Sequence, residues 1–128
     1  MNISFTVPLP PRELSSNGSH GHWQKESRVR SDYRGEVCIE ALAAQGTTRI
    51  NADRARISLV FCIKGGRKAQ RYQPRDVANA LAAFKSGIDG IVDSNMVIDD
   101  SAKHLELGKI AIDNKRGPFV FVEIEVLE

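Results

Sequence analysis

The sequence predicts an α+β fold: one domain over residues 1–128, with a small mixed β-sheet of about four strands and two main helices packed on it. Three observations predict it. Two stretches repeat apolar residues every three or four positions, as amphipathic helices do. Four short stretches alternate apolar and polar residues or run apolar, as strands do. Proline, glycine and asparagine clusters separate them.

Taken in order, Ile3 to Val7 reads as a strand, closed by Pro8, Pro10 and Pro11, which cannot continue a ladder. SSNGSHGH follows as a loop. From about Lys25 to Ala44, Val29, Tyr33, Val37, Ala41 and Ala44 form one helical stripe, ended near Gly46. Residues 55–63, ARISLVFCI, read as a strand with Ile57, Leu59, Phe61 and Ile63 on one face, ended by Gly65-Gly66. A second helix is predicted from about Asp76 to Val92, with Val77, Leu81, Phe84, Ile88 and Ile91 facing the core. Ala78, Ala82, Lys85 and Asp89 share another face, with Lys85 and Asp89 one turn apart. HLELGKIAI and PFVFVEIEV supply two more strands around the turn-prone DNKRG. In the last strand Val120, Val122, Ile124 and Val126 alternate with Phe119, Phe121, Glu123 and Glu125, as in a sheet covered by helices on one side.

Composition narrows the class. With 41% hydrophobic and 27% charged residues in 128, the chain suits one globular domain with a modest core. No run of about 18 apolar residues exists, and MNISFTVPLPP has neither a basic nor a long apolar leader region, so a cytosolic protein without a membrane partner is expected. Cys38 and Cys62 lie in apolar patterns and are expected as reduced thiols.

The net charge is only +2, but it is unevenly spread. Residues 49–75 carry eight basic side chains against Asp53 alone, whereas residues 76–128 carry ten acidic and five basic. A basic stretch running into clustered carboxylates suits a metal-dependent nuclease: cations hold phosphates while carboxylates hold a hard divalent ion. Lys64, Arg67, Lys68, Arg71 and Arg75 are the candidate phosphate contacts, with a plain solvated loop as the alternative. Asp76, Asp99 and Asp100 flank the second helix. Asp76 is either a helix N-cap or a catalytic carboxylate, and Asp99-Asp100-Ser101 either a turn or a ligand pair. Lys85 and Asp89 are either an exposed pair or part of a site. His20 and His22 have no Cys or third His at ligand spacing, so zinc is not expected. His22 and Trp23, the single tryptophan, either pack on the first helix or stack near DNA.

Two blocks resemble one family. PLPPRELSSNGSHGHWQKESRVRSDYR is similar to the N-terminal signature of RusA-type endodeoxyribonucleases. Arg75-Asp76-x-x-Asn79, Lys85, Asp89-Gly90 and Asp99-Asp100-Ser101 resemble that family's Arg-Asp-x-Asp-Asn, Lys, Asp-Gly and Asp-Asp-Ser pattern. The resemblance implies a prophage-type Holliday junction resolvase, a homodimer that cuts four-way or other branched DNA with Mg²⁺, with Mn²⁺ as the alternative. It implies Asp76 and Asp100 as catalytic, metal-binding carboxylates, Asp99 as a neighbouring or supporting ligand, and Lys85 as the lysine beside the reacting phosphate. It also implies Asn79 as a support for the ligands and Asn17 as a shaper of the active-site loop. One position departs from the pattern: the family's second aspartate falls on Ala78, which has no ligand atom. Asp89 shares the Ala78 face but lies roughly 16 Å along an ideal helix from it. The alternative function is therefore a junction-binding protein with weakened or lost cleavage.

Overall fold

The computed structural model describes residues 1–14 and 23–127, with residues 23–25 described in their backbone alone. The fold is α+β. Strands β1 (Asn2–Val7), β2 (Ala55–Cys62), β3 (Leu105–Asp113) and β4 (Phe119–Val126) form one sheet in the order β1-β4-β2-β3. β4 runs antiparallel to β1 and β2, and β3 runs parallel to β2. A parallel neighbour cannot be reached by a tight turn, so the chain crosses between β2 and β3 through α2 (Val77–Ala83) and α3 (Lys85–Asp93). Among the described residues no helix is long and apolar enough to cross a membrane.

Strand alternation sorts the sheet into two faces. Val7, Ile57, Leu59, Phe61, Val120, Val122 and Ile124 are buried and share one core with Tyr33, Val37, Phe84 and Ile91 from the helices. On the opposite face Arg56, in the central strand, reaches Glu106 and Glu125 on its two neighbours at 2.7 and 2.9 Å. That face is partly wet, as the alternation in β4 predicts.

Helix α1 spans Trp23–Gln45, and its stripe behaves as predicted: Tyr33, Val37 and Ala41 are fully buried, with Val29 and Ala44 partly so. The buried Tyr33 hydroxyl donates to the Pro8 carbonyl at 2.5 Å, which ties α1 to the proline-rich exit of β1. β2 ends one residue earlier than predicted, so Ile63 begins the following turn.

The predicted second helix is divided at Phe84, whose backbone (φ −88°, ψ 3°) leaves helical geometry. The Phe84 ring is fully buried and meets the rings of Tyr33 and Phe61 edge-on, with centroids 6.2 and 5.9 Å apart. Anchoring one ring against two elements fixes its position more strongly than regular helix geometry would. The division shifts the buried face: α2 buries Ala80 and Ala83, and Val77, a predicted core residue, is 47% exposed.

The helices meet at Gly90. A Cβ there would lie 2.4 Å from the Arg34 carbonyl oxygen and 3.1 Å from the Cys38 nitrogen, both backbone atoms of α1. Beside this contact Arg34 holds Asp93 with two hydrogen bonds of 2.5 and 2.7 Å. The hydrogen bonds from Arg34 hold the Asp93 carboxyl below the usual carboxylate range.

Gly90→Ala should cost about 2–3 kcal/mol in urea unfolding, because backbone atoms of α1 cannot swing aside. Gly35→Ala, where a Cβ meets nothing within 4 Å, should instead stabilise α1 by up to about 1 kcal/mol. The Arg34–Asp93 pair is half-exposed, at 49% and 37%, and should contribute about 1 kcal/mol or less. Since the folded pKa of Asp93 is depressed, that contribution is present above the ordinary aspartate range and is lost as pH falls through the lowered value. The stability difference between wild type and Asp93→Asn should thus be constant near neutrality and shrink below about pH 4.

Candidate nuclease site and basic groove

Asp76 opens α2. Its backbone is extended (φ −141°, ψ 160°), and its Oδ1 accepts from the Asn79 backbone N–H at 2.9 Å, an N-cap. Its Oδ2 accepts from the Asn79 side-chain amide at 2.8 Å, so Asn79 orients the carboxylate. Both carboxylate oxygens retain a lone pair, and the residue is exposed. Capping and ligand roles are thus compatible.

Lys85 opens α3 and draws two carboxylates to itself: Asp89 Oδ1 at 3.5 Å and Asp100 Oδ2 at 3.4 Å from Nζ. The pair one turn apart was legible in the sequence; the arrival of Asp100 was not. After α3 the chain turns through Asn95 (φ +62°), and the Asn51–Ala52 backbone bonds Asn95 and Met96, steering the following loop back past Lys85. The Ser101 carbonyl accepts from the His104 and Leu105 N–H groups, so the Asp-Asp-Ser segment does form a turn before β3, with Asp99 exposed beside Asp100. Partial burial works against the Lys85 charge, but Asp89 and Asp100 outweigh it and raise its pKa. Lys85 is therefore an ammonium at neutral pH, able to stabilise negative charge and unable to act as a base.

Ala78, Leu81, Ala82, Lys85, Ile88, Asp100, Leu105 and Leu107 line an open groove of about 480 Å³ between the helices and the β3 edge. Ala78 and Asp100 line the same groove, so an aspartate at position 78 would add a carboxylate to it. Asp76 is not part of this lining. Asp89 stays with Lys85, one turn along α3, and does not take the place of a carboxylate at position 78.

The donors are hard carboxylate oxygens, which suit Mg²⁺ and Mn²⁺. Among the described residues no group of three or more His, Cys, Asp or Glu side chains is placed to hold a metal ion. The donor set suits a cation taken up on one or two carboxylates with water and substrate phosphate completing its shell, as Mg²⁺ commonly is. Asp100 with its chain neighbour Asp99 would hold it, whereas Asp76 stands outside the groove that Asp100 lines. His104 serves the fold: its Nδ1 lies 2.8 Å from the Asp53 carbonyl at the start of β2.

The basic loop is structured. Gly66 N–H bonds the Ile63 carbonyl, Arg71 N–H the Gly66 carbonyl, and Tyr72 N–H the Pro10 carbonyl, while Gln73 reaches the Ile63 carbonyl at 2.9 Å. Lys64, Arg67, Lys68 and Arg75 project from it exposed. Arg71 is half-buried and reaches the Leu9 carbonyl at 3.4 Å, so part of its role is to hold the loop against the β1 exit. Asn17 and His22 lie outside the described residues, as does the Trp23 side chain.

Sequence reasoning missed three cations. Lys109, Lys115 and Arg116, on β3 and the loop from β3 to β4, join Arg75 around a second groove of about 700 Å³. The sequence signal for them was weak, since they sit in the acid-rich part of the chain and the Lys-Arg pair reads simply as a turn.

The chain matches no protein-family model and no curated protein sequence.

Asp76→Ala should cost about 1 kcal/mol of stability by removing the cap, whereas Asp76→Asn, which keeps an accepting oxygen, should stay within a few tenths of wild type. Paired urea unfolding curves check this, and they identify Asp76→Asn as the variant in which activity can be read without a folding defect.

Proposed function

We propose that this protein binds branched DNA, four-way junctions in particular, and cleaves it as a divalent-metal-dependent endodeoxyribonuclease. The observation that carries the reading is the run of exposed cations ending at Arg75, directly before Asp76, together with the meeting of Lys85 and Asp100 at the groove that Ala78 lines. The resemblance of both motif blocks to RusA-type endodeoxyribonucleases supports the same reading. A dimer with two such sites would match the two-fold symmetry of a junction.

In this reading Lys64, Arg67, Lys68 and Arg75 position phosphates without reading sequence. Lys85 meets the phosphate nearest Asp100. Its contacts to Asp89 and Asp100 are long and solvent-exposed, so an incoming phosphate oxygen can replace one at small cost. The ammonium then offsets negative charge as it grows on the phosphorus oxygens. Asn79 keeps the Asp76 carboxylate fixed through this exchange. Bound Mg²⁺ or Mn²⁺ supplies Lewis acidity and a water of lowered pKa.

Ala78 favours a second reading, a junction-binding protein whose cleavage is weak or lost. It lines the groove with Asp100 at the position where the resembled pattern has a carboxylate.

A synthetic four-way junction incubated with Mg²⁺ or Mn²⁺ separates the two. For the nuclease, wild type should cut, and Asp76→Asn or Asp100→Asn should lower the rate by at least about 100-fold, the scale on which a lost electrostatic or metal-holding group acts. Junction binding without cutting, with cleavage gained in Ala78→Asp, would establish the second reading. Sedimentation of the protein–junction complex tests the dimer, since cleavage by a single copy would refute it.

A further inference from the structure

We propose that the groove between Arg75 and the β3–β4 loop cradles the sugar-phosphate backbone of a duplex arm, independently of base sequence. This rests on the reading of the protein as a DNA-binding one and adds to it a surface formed only by the fold. Arg75, Lys109, Lys115 and Arg116 come from three separate segments to one open groove of about 700 Å³. Gathering like charges is unfavourable unless a polyanion offsets it. The lining holds one carboxylate, Asp113, and it is already engaged: Lys115 N–H donates to Oδ1 at 2.7 Å and Arg116 Nε to Oδ2 at 3.1 Å. Its negative charge therefore orders the β3–β4 loop and partly balances Arg116, leaving the other three cations for a ligand.

The groove's uncharged lining narrows the ligand. Apolar surface comes from Val60, Ile63, Pro74 and neighbouring β3 residues, with no aromatic ring, so bases find nothing to stack on. Deoxyribose can lie on such a floor while phosphates meet the rim. The loop is also held in place. Lys64 N–H donates to the Arg116 carbonyl at 3.0 Å and Ile63 N–H to the Asp113 carbonyl at 2.9 Å. Gly117 allows this closeness, since its φ is +143° and a Cβ would lie 2.4 Å from the Cys62 carbonyl oxygen. A strand seated here passes Arg75 and so leads directly to Asp76.

The test is fluorescence anisotropy of the full chain with a labelled four-way junction and with a linear duplex of the same arm sequence, over a range of salt. Lys109→Gln combined with Lys115→Gln removes two exposed cations outside the candidate catalytic set, and its folding is checked by urea unfolding. The expected result is a salt slope, log Kd against log salt, smaller by about 1.8, with both DNAs weakened by the same factor. Wild-type affinity and slope in the double variant would overturn the cradle and leave DNA binding intact. Loss confined to the junction would overturn it too, because the groove would then read the branch and not an arm. If wild type bound neither DNA, the broader reading would fail first and take this one with it.

Discussion

Gly90 lets the backbones of α1 and α3 touch, and the placement of the candidate site depends on that contact. Any side chain at this position would push α3 away from Arg34 and Cys38. Lys85 and Asp89 lie on α3, and the loop that brings Asp100 follows it, so displacement of the helix would carry these three residues with it. The Arg34–Asp93 pair fastens the far end of the same helix, and Phe84 fastens its start by wedging between Tyr33 and Phe61. Three unlike contacts, a backbone approach, an ion pair and an aromatic triad, therefore fix one nine-residue element.

Fixing α3 also decides how the charges are distributed. Lys85 is held where Asp89 and Asp100 both reach it, which keeps it cationic and keeps the two carboxylates from facing each other uncompensated. Around the other end of the crossover, the parallel pairing of β2 with β3 brings the β3–β4 loop against Lys64 and Arg75. A positive groove and a mixed-charge groove thus flank the start of α2, at Asp76.

Much of the secondary structure was legible because it depends on local periodicity. The α1 stripe through Tyr33, Val37 and Ala41 and the alternation of β4 read correctly, since a helix period or strand period fixes which side chains share a face. The division at Phe84 was not legible: Val77 fits the helical spacing, and only the pull of two distant rings on Phe84 breaks the phase. At the site, the capping geometry of Asp76 and the Lys85–Asp89 spacing followed from neighbours within four residues. The role of Gly90 did not, because a glycine in a helix says nothing about what approaches it.

The sequence by itself determined the α+β class, the faces of α1 and of the strands, the basic run before Asp76 and the absence of a carboxylate at Ala78, all of which are properties of residue type and short spacing. Tertiary structure alone decided that Asp100 meets Lys85 across a separation of 15 residues, that Asp76 stands outside the groove they share, and that Lys109, Lys115 and Arg116 join Arg75. The reason is that each of these depends on the crossover between parallel strands. The path of that crossover is set by contacts between distant residues, which no local pattern in the chain records.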